Sequence, residues 1–309
     1  MENRLNHYKS LGRKKHIDKS RAREEWEHTH GKDSKGKAEY VRRRTLPYIY
    51  SNSTYNNYHK HLCYFLNWCE NTHGCKTLND CRQYADEWLQ TRESSGLSAW
   101  TLKLERSALG KLYQEPTTNF KFKDNKNTER HRADIKRSRK LTKSQEKFEK
   151  SAKNKELIDF CKATGLRREE LETLKPEQLE ITSNGQRILH IKGKGGRERE
   201  APIIGKNQAT VVTKIQTTPA GQKVWGKVNK NAPVHTYRAD YRTAYYKQLA
   251  RPVADIKAAN KRAGRKINKD IYYCRADRKH TAFDRRAMKI VSKALGHTRI
   301  DVIAGYYLR

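Results

Sequence analysis

Residues able to work on a phosphate ester recur in order along the second half of the chain. Arg167 stands in "ATGLRREEL", Lys194 in "IKGKGGREREAP", and His235 and Arg238 in "HTYRADY". His297 stands in "ALGHTRIDVIAGYYL", a segment that also presents Tyr306 and Tyr307. Two guanidinium forks can hold the non-bridging oxygens of a phosphodiester and match the charge that develops on a trigonal-bipyramidal phosphorus. A histidine donor can add to that clamp. A lysine on a turn can protonate the departing 5′-oxygen, and an imidazole can accept or position a tyrosine proton. Tyrosine suits the nucleophile's role, because a phosphotyrosyl bond stores the energy of the broken phosphodiester for rejoining. This set needs neither a metal nor a cofactor. Taken singly the segments say little: "GLRREEL" reads equally as a salt-bridged helix start, and "GKGGR" as any basic hairpin. Their order carries the information.

Such side chains need elements to hold them. "ELIDFCKATGL" has a helical pattern, and Arg167 opens the next helix. "GQRILHIKGKGGREREAPII" alternates, breaks at Gly-Lys-Gly-Gly and alternates again, which predicts a β-hairpin with Lys194 at its tip. His235 and Arg238 share one helix face at i and i+3. Ala287, Ile290, Val291, Ala294 and Leu295 form an amphipathic set that delivers His297. Upstream, Tyr55, Tyr58, Leu62, Phe65, Leu66 and Cys69 follow the spacing of one buried helix face, which Gly74 ends. Cys81, Tyr84, Ala85 and Trp88 make a second stripe. Ser98 can cap a third helix with Leu104, Ala108, Leu109 and Leu112 inward. The fold class expected is α+β and mainly helical. Residues 1–45 read as a basic N-terminal arm, 46–115 as a small helical domain and 116–150 as a basic linker around "DIKRSRK". Residues 151–309 read as a mixed α/β domain with an insertion at about 251–285.

Lys and Arg number 68 against 34 Asp and Glu, a formal charge of +34, and 35% of residues are hydrophobic. A chain this basic calls for an extended polyanion, and DNA or RNA fits best because each neutralised phosphate releases counterions. An anionic membrane is the weaker alternative. No apolar stretch reaches the roughly 18 residues of a spanning helix, and the N-terminus lacks a signal-peptide core. A soluble, intracellular protein is expected. Cys63, Cys69, Cys75 and Cys81 recur every six residues but lack the short spacing of zinc ligands, so they are read as reduced structural thiols.

With these motifs in order, the sequence resembles the tyrosine recombinases, the integrase type of phages and integrative conjugative elements. The resemblance spans 163 to 309, and residues 53–115 are similar in size and position to that family's SAM-like core-binding domain. It implies a site-specific recombinase that cleaves and rejoins double-stranded DNA at attachment sites through a 3′-phosphotyrosine, without metal or ATP. It implies a tetramer on two duplexes, accessory DNA-bending or directionality proteins, and a cytoplasmic, bacterial setting at the nucleoid. Carried over by residue, Arg167 and Arg238 are the clamp arginines and Glu170 supports the first. Lys194 is the general acid, and His235 and His297 are the site histidines. Arg168 faces outward, while Lys192, Arg197 and Arg199 contact the DNA backbone. The family's usual spacing after the histidine selects Tyr306 as nucleophile; the Ala-x-x-Tyr-aliphatic ending of the conjugative-element integrases selects Tyr307, which is preferred.

Three departures stand out. Ala239 occupies a position where such families often carry a further histidine. The stretch between Arg238 and His297 is longer than usual, and its "YYCR" offers Arg275 as a minor alternative to Arg238. Only Leu308 and Arg309 follow Tyr307, so the family's exchange of a C-terminal helix is expected to be missing or made elsewhere. Two competing readings use the same residues: a type IB-like topoisomerase, and a DNA-binding protein without catalysis.

Overall fold

The computed structural model describes residues 1–11, 13, 15–30, 48–123, 141–193, 196–265, 269–274, 279–297 and 299–306, with the backbone alone at 15, 16, 19, 23, 26, 30, 305 and 306. Lys194, Arg275, Tyr307 and the "DIKRSRK" cluster lie outside the described residues. The chain forms two compact units, Met1–Arg130 and His131–Arg309. Among the described residues no helix is long and apolar enough to cross a membrane.

The first unit is helical: α1 (Glu2–His7), α2 (Lys15–His30), α3 (Asn52–His73), α4 (Leu78–Arg82), α5 (Ala85–Ser94) and α6 (Ala99–Tyr113). Ser51 caps α3 by accepting from the Thr54 amide at 3.2 Å, and Gly74 ends it in the left-handed region. Leu62, Phe65 and Cys69 of its apolar stripe are buried, with Tyr55, Tyr58 and Leu66 packed around them. The second stripe is broken into α4 and α5. A capping box between Thr77 and Asp80 starts α4, and Tyr84 leaves helical geometry to stack on His73 at 3.7 Å. In α6 the inward residue is Leu102, not Leu104, because the buried face runs through Leu102, Glu105, Leu109 and Leu112. That face draws Glu105 inside, where Arg92 Nη2 at 3.0 Å and His61 Nδ1 at 2.9 Å satisfy its carboxylate.

Two sequence readings are corrected at the edges of this unit. The start of the basic arm is core: Leu5 is fully buried, and the chain at Tyr8–Ser10 pairs with Ile49 through backbone bonds of 2.7 and 3.0 Å. At the other end, Phe120 and Phe122 of the expected linker are buried in the same helical core. Two or three apolar side chains beside a charged segment make too short a period to detect, so neither was visible in the pattern.

The second unit contains α7 (Lys143–Lys150), α8 (Lys155–Thr164), α9 (Arg168–Thr173), α10 (Gln208–Gln216), α11 (Val234–Leu249), α12 (Val253–Arg262), α13 (Arg285–Ala294) and α14 (Asp301–Tyr306). Strands β1 (Leu179–Ile181), β2 (Arg187–Lys192) and β3 (Glu198–Pro202) form an antiparallel sheet in sequence order, with Leu189 opposite Ala201 and Ile191 opposite Arg199. The hairpin thus forms where the alternation places it. Its inward positions are Leu189 and Ile191 on β2 and Arg199 and Ala201 on β3. Strands β4 (Ile271–Tyr273) and β5 (Ala282–Asp284) form a separate pair.

That pair and α12 make up the long stretch after α11, and Asp284 secures its ends. Its fully buried carboxylate accepts from Arg251 Nε at 2.8 Å and caps α13 through the amides of Arg286 and Ala287. The Asp284 amide in turn donates to the Tyr246 hydroxyl of α11 at 2.9 Å.

Candidate active site

Three chain segments converge on one carboxylate. Gly165 ends α8 with φ of 60°, and a Cβ there would stand 2.4 Å from the Tyr241 ring, so the close approach of α11 requires glycine. The chain turns through Leu166 and starts α9 with Arg167 as its N-cap. Glu170 is the reciprocal partner of that cap: its Oε2 accepts from the Arg167 backbone amide at 2.7 Å, and its Oε1 from Arg167 Nη1 at 2.6 Å. Arg199, from β3, reaches the same group with a bidentate fork, 2.8 Å to each oxygen. Burial pushes the Glu170 carboxyl up, but the hydrogen bonds and charges of Arg199 and Arg167 more than offset it and hold it at about 2.

The end of α13 supplies the next layer. Leu295, Gly296 and His297 form a Schellman turn: the Gly296 amide donates to Lys293 O at 2.8 Å and the His297 amide to Ser292 O at 2.9 Å, with Gly296 at φ of 66°. The last carbonyls of the helix point at arginines, as their unpaired acceptors and the helix dipole favour. Arg199 Nε donates to Ala294 O at 2.9 Å, while Leu295 O accepts from Arg167 Nη2 at 3.3 Å and from Arg238 Nη2 at 2.5 Å. Arg238, one turn into α11 and 3% exposed, also donates to Gly165 O and comes within 4.0 Å of Glu170.

His297 follows directly and shares this field. Burial, then the charges of Arg242, Arg238, Arg167 and Arg199, lower its imidazole to about 3. Its Nε2 is buried and has no hydrogen-bond partner among the described residues. A neutral ring with an open nitrogen can accept a proton, and a bound phosphodiester would raise its basicity by opposing the arginine charges.

The sequence-predicted residues therefore divide into groups. Arg167, Arg238, His297 and Glu170 are brought together. His235 lies in the first turn of α11 on the exposed side, three residues before buried Arg238. Lys194 and Tyr307 lie outside the described residues, and Tyr306 ends α14 as backbone. Gly193, the last described residue before Lys194, does sit at the cluster. A Cβ on Gly193 would stand 3.0 Å from Arg199 Nη1, 3.2 Å from Glu170 Oε1 and 3.4 Å from Arg167 Nη1.

Two arginines behave otherwise than the sequence implied. Arg168 does not face outward: its guanidinium donates to the carbonyls of Val228, Asn229 and Ala232 at 2.8–2.9 Å, tying down the loop that leads into α11. Arg199 is not exposed as a contact to the DNA backbone would be. It is 8% exposed and its donors are committed to Glu170 and Ala294. The signal was available, since Arg199 alternates in phase with buried Ala201. Arg242, one turn after Arg238, is fully buried, and no motif in the sequence marks it. It supplies the largest charge acting on His297.

Residues 46–117 match the family described as phage integrase, N-terminal SAM-like domain. Among solved structures, XerH site-specific recombinase bound to difH substrate in a pre-cleavage complex aligns over 99% of this chain and 90% of its own, at 16% identity and a TM-score of 0.50. A post-cleavage XerH complex aligns over 82% and 76% at 18% identity and a TM-score of 0.48. The Tn1549 transposon integrase with circular intermediate DNA aligns over 94% of each chain at 13% identity and a TM-score of 0.43. No curated protein sequence matches the chain. A phage-integrase SAM-like domain thus precedes a second unit, in a chain with the fold of the tyrosine recombinases.

Proposed function

We propose that this protein is a site-specific DNA recombinase that cleaves and rejoins strands through a covalent 3′-phosphotyrosine. The observation that carries the reading is the convergence of Arg167 and Arg238 on Leu295 O, directly beside the neutral imidazole of His297. Their guanidinium groups bind the non-bridging oxygens of the scissile phosphate and stabilise the added charge of the pentavalent state. The phenol oxygen of Tyr307, or of Tyr306, attacks phosphorus; the P–O5′ bond breaks, leaving a 3′-phosphotyrosyl end and a free 5′-hydroxyl. His297 accepts the phenol proton and Lys194 donates one to the departing oxygen. His235 adds a donor to the clamp. Rejoining runs the same steps backward with the 5′-hydroxyl of a second strand as nucleophile, so bond energy is conserved. By resemblance the synapse holds two pairs of protomers on two duplexes, with accessory DNA-bending proteins.

The test uses a nicked suicide duplex carrying each inverted repeat found in the DNA that flanks the gene. Wild-type protein is expected to form a covalent adduct that survives denaturation. Tyr307→Phe is expected to abolish it and Tyr306→Phe to retain it. Adduct in both single variants would remove the assignment of one nucleophile. If no adduct forms on any plausible repeat, the binding-only reading takes over. Relaxation of supercoiled plasmids without the repeats would instead place the protein with the topoisomerases.

A further inference from the structure

One buried carboxylate lies among three guanidinium groups here, and the arginines are not equivalent. Arg199 has a side chain only 3% exposed, with its Nε, Nη1 and Nη2 all committed to protein acceptors. The Arg167 side chain is 28% exposed. Two glycines from different segments are shaped around Arg199. A Cβ on Gly193 would stand 3.0 Å from its Nη1, and one on Gly296 would stand 3.1 Å from its Cδ. Strand alternation forces the side chain inward between exposed Glu198 and Glu200.

The physical consequence concerns charge. Arg167 Nη1 already donates to Glu170 Oε1 at 2.6 Å, so at short range in a poorly polarisable site an unneutralised Glu170 would cancel much of the positive potential of Arg167. With Arg199 bidentate on both oxygens, the Glu170–Arg199 pair is neutral. We propose that Arg199 is a positioning residue for strand cleavage, acting as the counterion of Glu170 so that the charge of Arg167 stays available to the scissile phosphate. This rests on the recombinase reading.

The test compares full-length proteins on the suicide duplex with an ordinary scissile phosphodiester and with a methylphosphonate there, which lacks the non-bridging charge. Arg199→Met is expected to slow adduct formation on the phosphodiester by roughly 10- to 100-fold and to change the methylphosphonate rate far less. Adding Glu170→Gln to Arg199→Met should recover rate relative to Arg199→Met alone, as a coupled pair does in a double-mutant cycle. Should Arg199→Met not fold, as judged by thermal unfolding, Arg199→Lys decides: it keeps the charge, so the ratio of the two rates should stay near wild type. Equal losses on both substrates, a double variant slower than the single one, or a lowered ratio in Arg199→Lys would overturn the proposal. Wild-type protein without any adduct overturns the recombinase reading, and this inference with it; wild-type adduct with an unaltered Arg199→Met overturns this inference alone.

Discussion

At the scale of single residues, His297 makes the sharpest claim. Its ring sits near 3 instead of the usual 6.5, through burial first and the charges of Arg242, Arg238, Arg167 and Arg199 next. The sign of the stability linkage follows. Between about 6.5 and 3 the unfolded chain binds a proton that the folded protein refuses, so stability present above 6.5 is lost as pH falls through that window. Glu170 acts in the same direction lower down, its stabilisation lost as pH falls from 4.5 towards 2. Urea unfolding of wild type and His297→Gln at several pH values should therefore show wild type losing ground to the variant from pH 7 down to 5. A difference between them that does not vary with pH would contradict the depressed imidazole. The place of His297 just past a helix end was legible in "ALGH", because a glycine that ends a helix in the left-handed region is a local feature. Its protonation was not legible. Four arginines from α9, β3 and α11 surround it only in three dimensions, and for two of them, Arg199 and Arg242, strand or helix phase is the only local sign of burial.

The elements show the same divide between local and distant causes. Helix α3, the hairpin and α13 lie where their periods put them, since each buries a stripe written within a few turns. Leu102 replacing Leu104 depended on Arg92 and His61 being present to receive Glu105, and the break between α4 and α5 depended on His73 offering its ring to Tyr84. Arg168 turned inward because carbonyls of the 228–232 loop stood across from it, sixty residues away in sequence. Gly165 is where an element-scale prediction bears on the site. It ends α8 at positive φ, lies under Tyr241 of α11, and gives its carbonyl to Arg238. Gly165→Ala would place a residue with a Cβ in the left-handed region, costing about 1–2 kcal/mol. It would also drive that Cβ into the Tyr241 ring, adding a further packing loss. The expected fall in the melting temperature of the second unit is at least ~5 °C, at roughly 2–4 °C per kcal/mol for a unit of this size. Adduct formation should fall with it even at temperatures where the protein stays folded, since Arg238 loses one of its anchors. Unchanged melting and activity would mean that the α8–α11 approach is far looser than the 2.4 Å geometry implies.

For the whole molecule the governing quantity is charge, and the structure changes how the +34 should be counted. Part of the basic complement is committed internally: Arg82 to Glu115, Arg92 to Glu105, Arg199 to Glu170, and Arg251 to Asp284. Such pairs release no counterions when DNA binds, so the salt dependence must come from the solvated lysines and arginines. A DNA-binding surface this basic should engage at least six to ten phosphates. The affinity should then fall by roughly 10³–10⁵ between 50 and 200 mM salt, a steep linear dependence of log K on log salt. Anisotropy titrations on a labelled duplex would measure it. The Arg199→Met variant should change the slope by no more than the one phosphate contact of Arg167 while slowing cleavage, because the charge of Arg199 itself never faces the backbone. Removing exposed Lys192 should lower the slope by about one ion without altering the ratio of phosphodiester to methylphosphonate rates. The opposite pattern, a slope that falls by more than that one contact in Arg199→Met and ignores Lys192, would mean that the buried arginine reaches DNA after all. A slope of only one or two ions would mean that most of the surface charge is solvating and that DNA is held by something other than its phosphates.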